Sequence, residues 1–184
     1  MLRAGLLEGT VVATAGGAEH VAAACADLGA RTVAIEADLL DEQAVTAAAA
    51  GLGAVGTLVC DAAPAFVASG GGVDGLTVGL EGAWNAARAV ANAVWRPGEG
   101  GKLVLVGPRP REGAHAAALG AALENTARTL SIEWARYAIR TTAVLPGDAT
   151  TDDDVAALVA YLASPAGDYF SGCAFSLSAG TAAR

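Results

Sequence analysis

Three short stretches of the chain have residue types and spacings that could do chemistry. "GLGAVG" (51–56) carries the spacing G-x-G-x-x-G, with which a backbone can cradle a pyrophosphate. "TAGGAEH" (14–20) places Gly16 and Gly17 where a chain can turn tightly. Glu36 follows about twenty residues on, where an acid could hold a ribose hydroxyl. "TDDD" (151–154) gathers carboxylates that could face a cation, and His115 is a group that could move a proton near neutral pH. Cys25, Cys60 and Cys173 are far apart and sit in apolar surroundings, which suits small buried thiols in a reducing compartment. The chain has no C-x-x-C, Cys/His cluster, G-x-S-x-G elbow or P-loop.

Chemistry needs elements that aim these residues. Short β-branched runs alternate with alanine-rich helical stretches. Strands are expected at 10–15, 32–37, 56–63, 101–107, 140–147 and 173–180. Helices are expected at 18–29, 41–53, 76–95, 114–138 and 151–164, with a glycine-rich loop over 68–75. Near-continuous apolar strands alternating with helices predict a parallel sheet covered on both faces. The expected fold is a doubly wound, Rossmann-like α/β sheet of about six strands, in a single domain over residues 1–184.

A phosphate loop must leave a strand and enter a helix. "GLGAVG" does the reverse and reads as a helix stop plus turn. "TAGGAEH" has the right context, but no third glycine follows, and Glu19 in the first helical turn would repel a phosphate. "TDDD" reads as the capped first turn of a helix begun by Thr151. His115 reads as structural or exposed. No catalytic, cofactor-binding or metal-ligating residue is assigned.

The totals narrow the partners. With 54% hydrophobic and 16% charged residues, a chain of 184 residues can bury a substantial core. A net charge of −8 argues against nucleic acid and anionic membrane surfaces. Glu8 and Gly9 interrupt the first apolar run, which is too short for a signal peptide, and the Ala44 to Cys60 stretch is broken by glycines. A cytoplasmic protein is expected.

Longer stretches resemble the short-chain dehydrogenase/reductase family across most of the chain. "LLEGTVV" is similar to the lead-in to its first strand, and "IEADLLDEQAV" to the strand end bearing its aspartate, here Asp38. "LVCDAAPAF" resembles "LVNNAG", "VGLEGAWNAARAV" resembles "VNLxGxFxxxxAV", and "GKLVLVG" resembles "GxIVNISS". "ALENTARTLSIEWARYAIRTTAVLPG" and "DDDVAALVAYLASPAGDYFSGCAFSLSAG" are similar to the family's last two long motifs. The resemblance implies a tyrosine acid/base, a lysine four residues on, a serine and an asparagine. In this chain those positions fall on Ala116, Gly120, Gly107 or Pro108, and Gly79. Lys102 is the only lysine, and Tyr137, Tyr161 and Tyr169 precede Thr141, Pro165 and Cys173 at that spacing, so no Y-x-x-x-K exists. One βα unit looks missing beside the family pattern, either the first or the next. The stretch after Pro146-Gly147, a substrate lid in the family, is reduced to "DATT".

These departures imply a non-catalytic subunit that binds no cofactor itself and supports an active paralogue of the family. NAD(P) is expected in that partner, in a hetero-oligomer such as a 2+2 tetramer. The assembly surfaces implied are the helices at 76–95 and 114–138 and the C-terminal strand. The first helix carries Ala83, Ala87, Val90 and Val94 on one side and Trp84, Ala91 and Trp95 on another; the second carries Leu119, Leu123, Leu130 and Trp134. Two alternatives stay open. One is an NAD(P)-dependent oxidoreductase with non-standard catalytic groups. The other is a homo-oligomeric binding or regulatory protein.

Overall fold

The computed structural model describes residues 2–177. Six strands, β1(Val11–Ala15), β2(Arg31–Ala34), β3(Thr57–Asp61), β4(Gly101–Val106), β5(Ile139–Pro146) and β6(Cys173–Leu177), form one sheet. Its order is β2-β1-β3-β4-β5-β6, and every neighbouring pair is parallel. The expected doubly wound sheet is therefore present. Residues 178–180 of the expected last strand lie outside the described residues.

Helices α1(Glu19–Asp27), α2(Glu42–Ala50), α3(Ala63–Ala68), α4(Val73–Val90), α5(Ala116–Glu133) and α6(Asp152–Ala163) link the strands. α1 and α6 pack on one face around Leu7, Val21, Cys25, Val155 and Val159. α2, α4 and α5 cover the other around Val45, Phe66, Trp95, Leu119 and Leu123. β3 is buried along its whole length, as a central parallel strand must be.

The helix ends are set locally. Asp41 accepts from the Gln43 and Ala44 amides at 3.0 and 3.1 Å and starts α2. Thr151 and Asp154 exchange bonds to start α6, so the last aspartate of "TDDD" completes a capping box. Gly29, at φ +98°, ends the turn after α1. "GLGAVG" is the expected stop and turn: Gly51 closes α2, Gly53 turns at φ +70°, and β3 begins at Thr57.

Three expectations need correction. Residues 63–68 form α3, begun with Pro64 in its first turn; the sequence pattern had them run from strand into loop. β2 stops at Ala34 and not at Ala37, because the chain bends away as an edge strand with no neighbour on its outer side. The side carrying Trp84, Ala91 and Trp95 does not exist as one face. α4 passes into a π-helical turn, Ala91–Trp95, and its wider repeat rotates Ala91 and Trp95 inward. Trp95 is fully buried and donates its indole N–H to the Val55 carbonyl at 2.7 Å, while Trp84 stays outside.

Lys102, at the start of β4, turns inward. Its ammonium meets Asp168 at 2.8 Å and donates to the carbonyls of Ala163 and Ser164, closing the C-terminal end of α6. Only 14% of that side chain is exposed. No helix among the described residues is long and apolar enough to cross a membrane.

Candidate functional site

In open parallel sheets, ligands sit beyond the carboxyl ends of the strands, at the point where strand order reverses. That point lies between β1 and β3. A cavity of about 480 Å³ opens there. The β1–α1 turn, the segment after β2, the end of β3 and the flank of α4 line it. A second space of about 350 Å³ adjoins it across Ala15, Gly16 and Gly17 and includes Glu19 and Glu36 in its walls.

Gly16 and Gly17 turn with φ of +83° and +86°. A Cβ on Gly16 would lie 2.1 Å from the Asp61 carbonyl oxygen, so this glycine lets β1 and β3 approach at the switch point. α1 has no side-chain cap, and Glu19 occupies its first turn. Neither cavity has a lysine or arginine in its lining, while Glu19, Glu36, Asp38 and Asp61 are all present. A dinucleotide would set its pyrophosphate beside Glu19 with no cation opposite. Glu19, in the first turn of α1, works against a phosphate at that position.

Asp61 is the residue that spacing along the chain did not single out. It ends β3, is 7% exposed and lines the larger cavity. One carboxylate oxygen accepts from the Ala63 amide at 3.0 Å. Burial pushes its carboxyl up to about 7, against the Ala63 hydrogen bond; nearby Glu112 adds to the rise. A lone acid in an apolar run, followed at once by a helix, was the available signal: "LVCDAAP". Beside it, burial raises the Cys60 thiol far above its ordinary value, and the Cys25 thiol rises to about 11, so neither is a reactive thiolate. Cys173 is half-buried, short of the full burial expected of it.

The other half of the strand ends, over β4 and β5, is crossed by ion pairs and hydrogen bonds between loops. Arg109 follows β4. Its guanidinium pairs with Glu112 at 3.1 Å and with Asp152, and donates to the Thr150 carbonyl at 3.0 Å. Its amide donates to Glu112 at 2.7 Å. Arg111 donates from its amide and its guanidinium to Asp148, both at 2.8 Å. Thr150 then donates its hydroxyl to the Leu177 carbonyl at 2.6 Å. "PRPRE" and "DATTD" are thus laced together across the ends of β4, β5 and β6. Burial works against the Arg109 charge, but hydrogen bonds to Asp152 and Glu112 hold its pKa above the ordinary value. The bond to Arg109 correspondingly lowers Asp152.

Three of the four positions implied by the family resemblance fall near one another, and Gly79 lies apart from them. Ala116, Gly120 and Pro108 line a space of about 300 Å³ under this lacing. A Cβ on Gly107 would lie 3.7 Å from the Gly120 Cα. Gly79 lines the switch-point cavity, where a Cβ would lie 3.3 Å from the Ala62 carbonyl. The only ionisable group lining the 300 Å³ space is Glu124. His115 is not in its wall; its Nδ1 is buried without a hydrogen-bond partner.

No family model and no curated protein matches this sequence. Solved structures do match in fold. A citronellol catabolism dehydrogenase (AtuB) of Pseudomonas aeruginosa PAO1 aligns over 96% of each chain, with 23% identity and a TM-score of 0.77. A hydroxysteroid dehydrogenase from Escherichia coli aligns over 96% of this chain and 98% of its own, with 20% identity and a TM-score of 0.76. A 2-keto-3-deoxy-D-gluconate dehydrogenase from Streptococcus agalactiae aligns over 94% and 93%, with 15% identity and a TM-score of 0.72. The chain shares the doubly wound, parallel α/β fold of these proteins.

Proposed function

We propose that this chain is a non-catalytic subunit that assembles with an active, NAD(P)-dependent short-chain dehydrogenase. The observation that carries this reading is the convergence of Gly107, Ala116 and Gly120 under the Arg109 lacing. The positions at which the resembled family carries its proton donor and cation hold a methyl group and bare backbone; the ionisable side chain lining the space is Glu124, and no lysine or arginine lies in its wall to lower the pKa of a donor. The acidic switch point, with Glu19 beside the β1–α1 turn and no cation in its lining, supports the same reading.

The outer surface of α4 and α5 is the proposed assembly face. Trp84 stacks on Trp134 with centroids 6.3 Å apart, and both stay partly exposed over a groove lined by Asn125, Thr129 and Glu133. Ile132 is 76% exposed beside them. Ala117, Ala118 and Ala121 on the same helix are exposed and would let another helix approach closely. An active paralogue, with NAD(P) in its own site, is the proposed occupant. The complex works in the cytoplasm, where the thiols of Cys25, Cys60 and Cys173 stay reduced.

Native mass spectrometry of the tagged protein from its own host tests the proposal. A second chain bearing Tyr-x-x-x-Lys in fixed stoichiometry is the expected result, and Ile132→Arg should release it while leaving the fold intact. A homo-oligomer alone that binds and turns over a nicotinamide cofactor would overturn it.

A further inference from the structure

The switch-point cavity has a chemistry of its own, and it does not depend on the partner reading. Most of its wall is alanine, glycine, leucine and proline; no lining side chain is larger than leucine. Its ionisable groups apart from the Cys60 thiol are both acids, Asp38 at the rim and Asp61 in the floor. Asp38 already accepts from the Leu40 amide at 3.0 Å. Asp61 has one oxygen on the Ala63 amide. Among the described residues its other oxygen has no hydrogen-bond partner, and no lysine, arginine or histidine nitrogen comes within 4.0 Å. Asp61 is more than nine-tenths buried, so its carboxylate is poorly hydrated, and its second oxygen, which is not sealed from the cavity, has no cation to offset that loss.

We infer that this cavity is a binding site for a small apolar amine, its ammonium on Asp61 and its apolar body among Ala62, Pro64, Ala65 and Ala83. The ammonium supplies the missing cation and fills the free acceptor position. The apolar body replaces water against methyl and methylene groups. The same wall rejects anions: a nucleotide or carboxylic acid would meet Asp61, Asp38 and, across the Gly16–Gly17 turn, Glu19. Binding draws the proton off Asp61, so affinity rises from about pH 5 to about pH 8 while the amine keeps its charge. The charged groups facing Asp61 are Glu112 and Arg109 from the loop after β4 and Asp152 from α6, the last two paired to each other.

Phenethylamine, its neutral analogue 3-phenylpropan-1-ol, the anion 3-phenylpropanoate and AMP are the probes, titrated by NMR into the full chain. The amine should bind at least ~10-fold more tightly than the alcohol, the strength expected of a charge-assisted bond in an apolar site. 3-Phenylpropanoate and AMP should not bind. Asp61→Asn should bring the amine down to the alcohol's affinity. Ala65→Phe, which fills the cavity from a half-buried position, should abolish both, with circular dichroism reporting that each variant is folded. The inference is overturned if no probe perturbs residues of the cavity wall. It is also overturned if the amine binds no better than the alcohol, if folded Asp61→Asn binds the amine unchanged, or if AMP binds more tightly than the amine.

Discussion

At the ends of β4 and β5, Arg109 is held by two carboxylates and a carbonyl, and Arg111 by Asp148. At the ends of β1 and β3, Asp61 is buried with one amide and no cation, beside a cavity of about 480 Å³. The first half uses charge to tie loops together over a smaller space of about 300 Å³. The second leaves a charge unmatched, and leaves space beside it. One half ties its polar groups into a structural clasp, and the other holds a cavity with no lysine or arginine in its lining.

The sharpest way to break that contrast is at the glycine turn inside the open half. Gly16→Ala puts a Cβ into the Asp61 carbonyl at φ +83°, and should destabilise by more than about 3 kcal/mol in urea denaturation. A loss under about 1 kcal/mol would mean that β1 and β3 are not held as close as described.

Next comes Asp61→Asn, which keeps an acceptor for the Ala63 amide. The folded carboxyl sits near 7 and the unfolded one near 4, so the native state holds the extra proton. Wild-type stability from this group is full below about pH 4 and is lost as pH rises through about 7. The variant lacks that loss. It should match the wild type near pH 4 and exceed it by on the order of 3 kcal/mol near pH 8. Parallel denaturation curves at the two pH values would show whether the acid is as unmatched as its surroundings imply.

Arg109→Ala attacks the other half. It strands Glu112 and frees the Thr150 carbonyl, and should cost about 2 kcal/mol with faster hydrogen exchange at residues 147–151. If the cost were near zero, the lacing would be decoration on an already closed edge. The smallest effect sharpens the reading of the vacant positions. A Cβ on Gly120 meets only Leu145 Cδ2 at 3.6 Å, an ordinary contact. Gly120→Ala should therefore stabilise α5 by about 0.5–1 kcal/mol, seen as a higher Tm.

What could be read from the sequence follows from distance along the chain. Alternating runs of "TVVATA" and "AEHVAAACADLG" gave away the sheet and its covering helices, because periodicity is local. Thr151, Asp41 and Gly29 acted within a few residues of themselves and were equally visible. Arg109 was not: its partner Asp152 lies 43 residues away, and no local pattern joins them. The clue was compositional, two of the chain's few cations within "PRPRE" and a run of acids in "DATTDDD". The inward rotation of Trp95 was hidden for another reason. A π-helical turn changes the repeat by less than one residue, and "AVANAVW" contains no proline or glycine to announce it. Asp61 was hidden because burial, not spacing, makes it unusual.

The burial of Lys102 bears on how such a complex could be mapped. It is the chain's only lysine, and its amine is spent on Asp168 and the end of α6. Acylating cross-linkers therefore meet almost no nucleophilic amine on this chain, and a map of the proposed complex built on lysine chemistry would report the proposed partner as solitary. Carboxylate-directed cross-linkers, with 19 acidic residues to work on, are the reagents to which this surface answers.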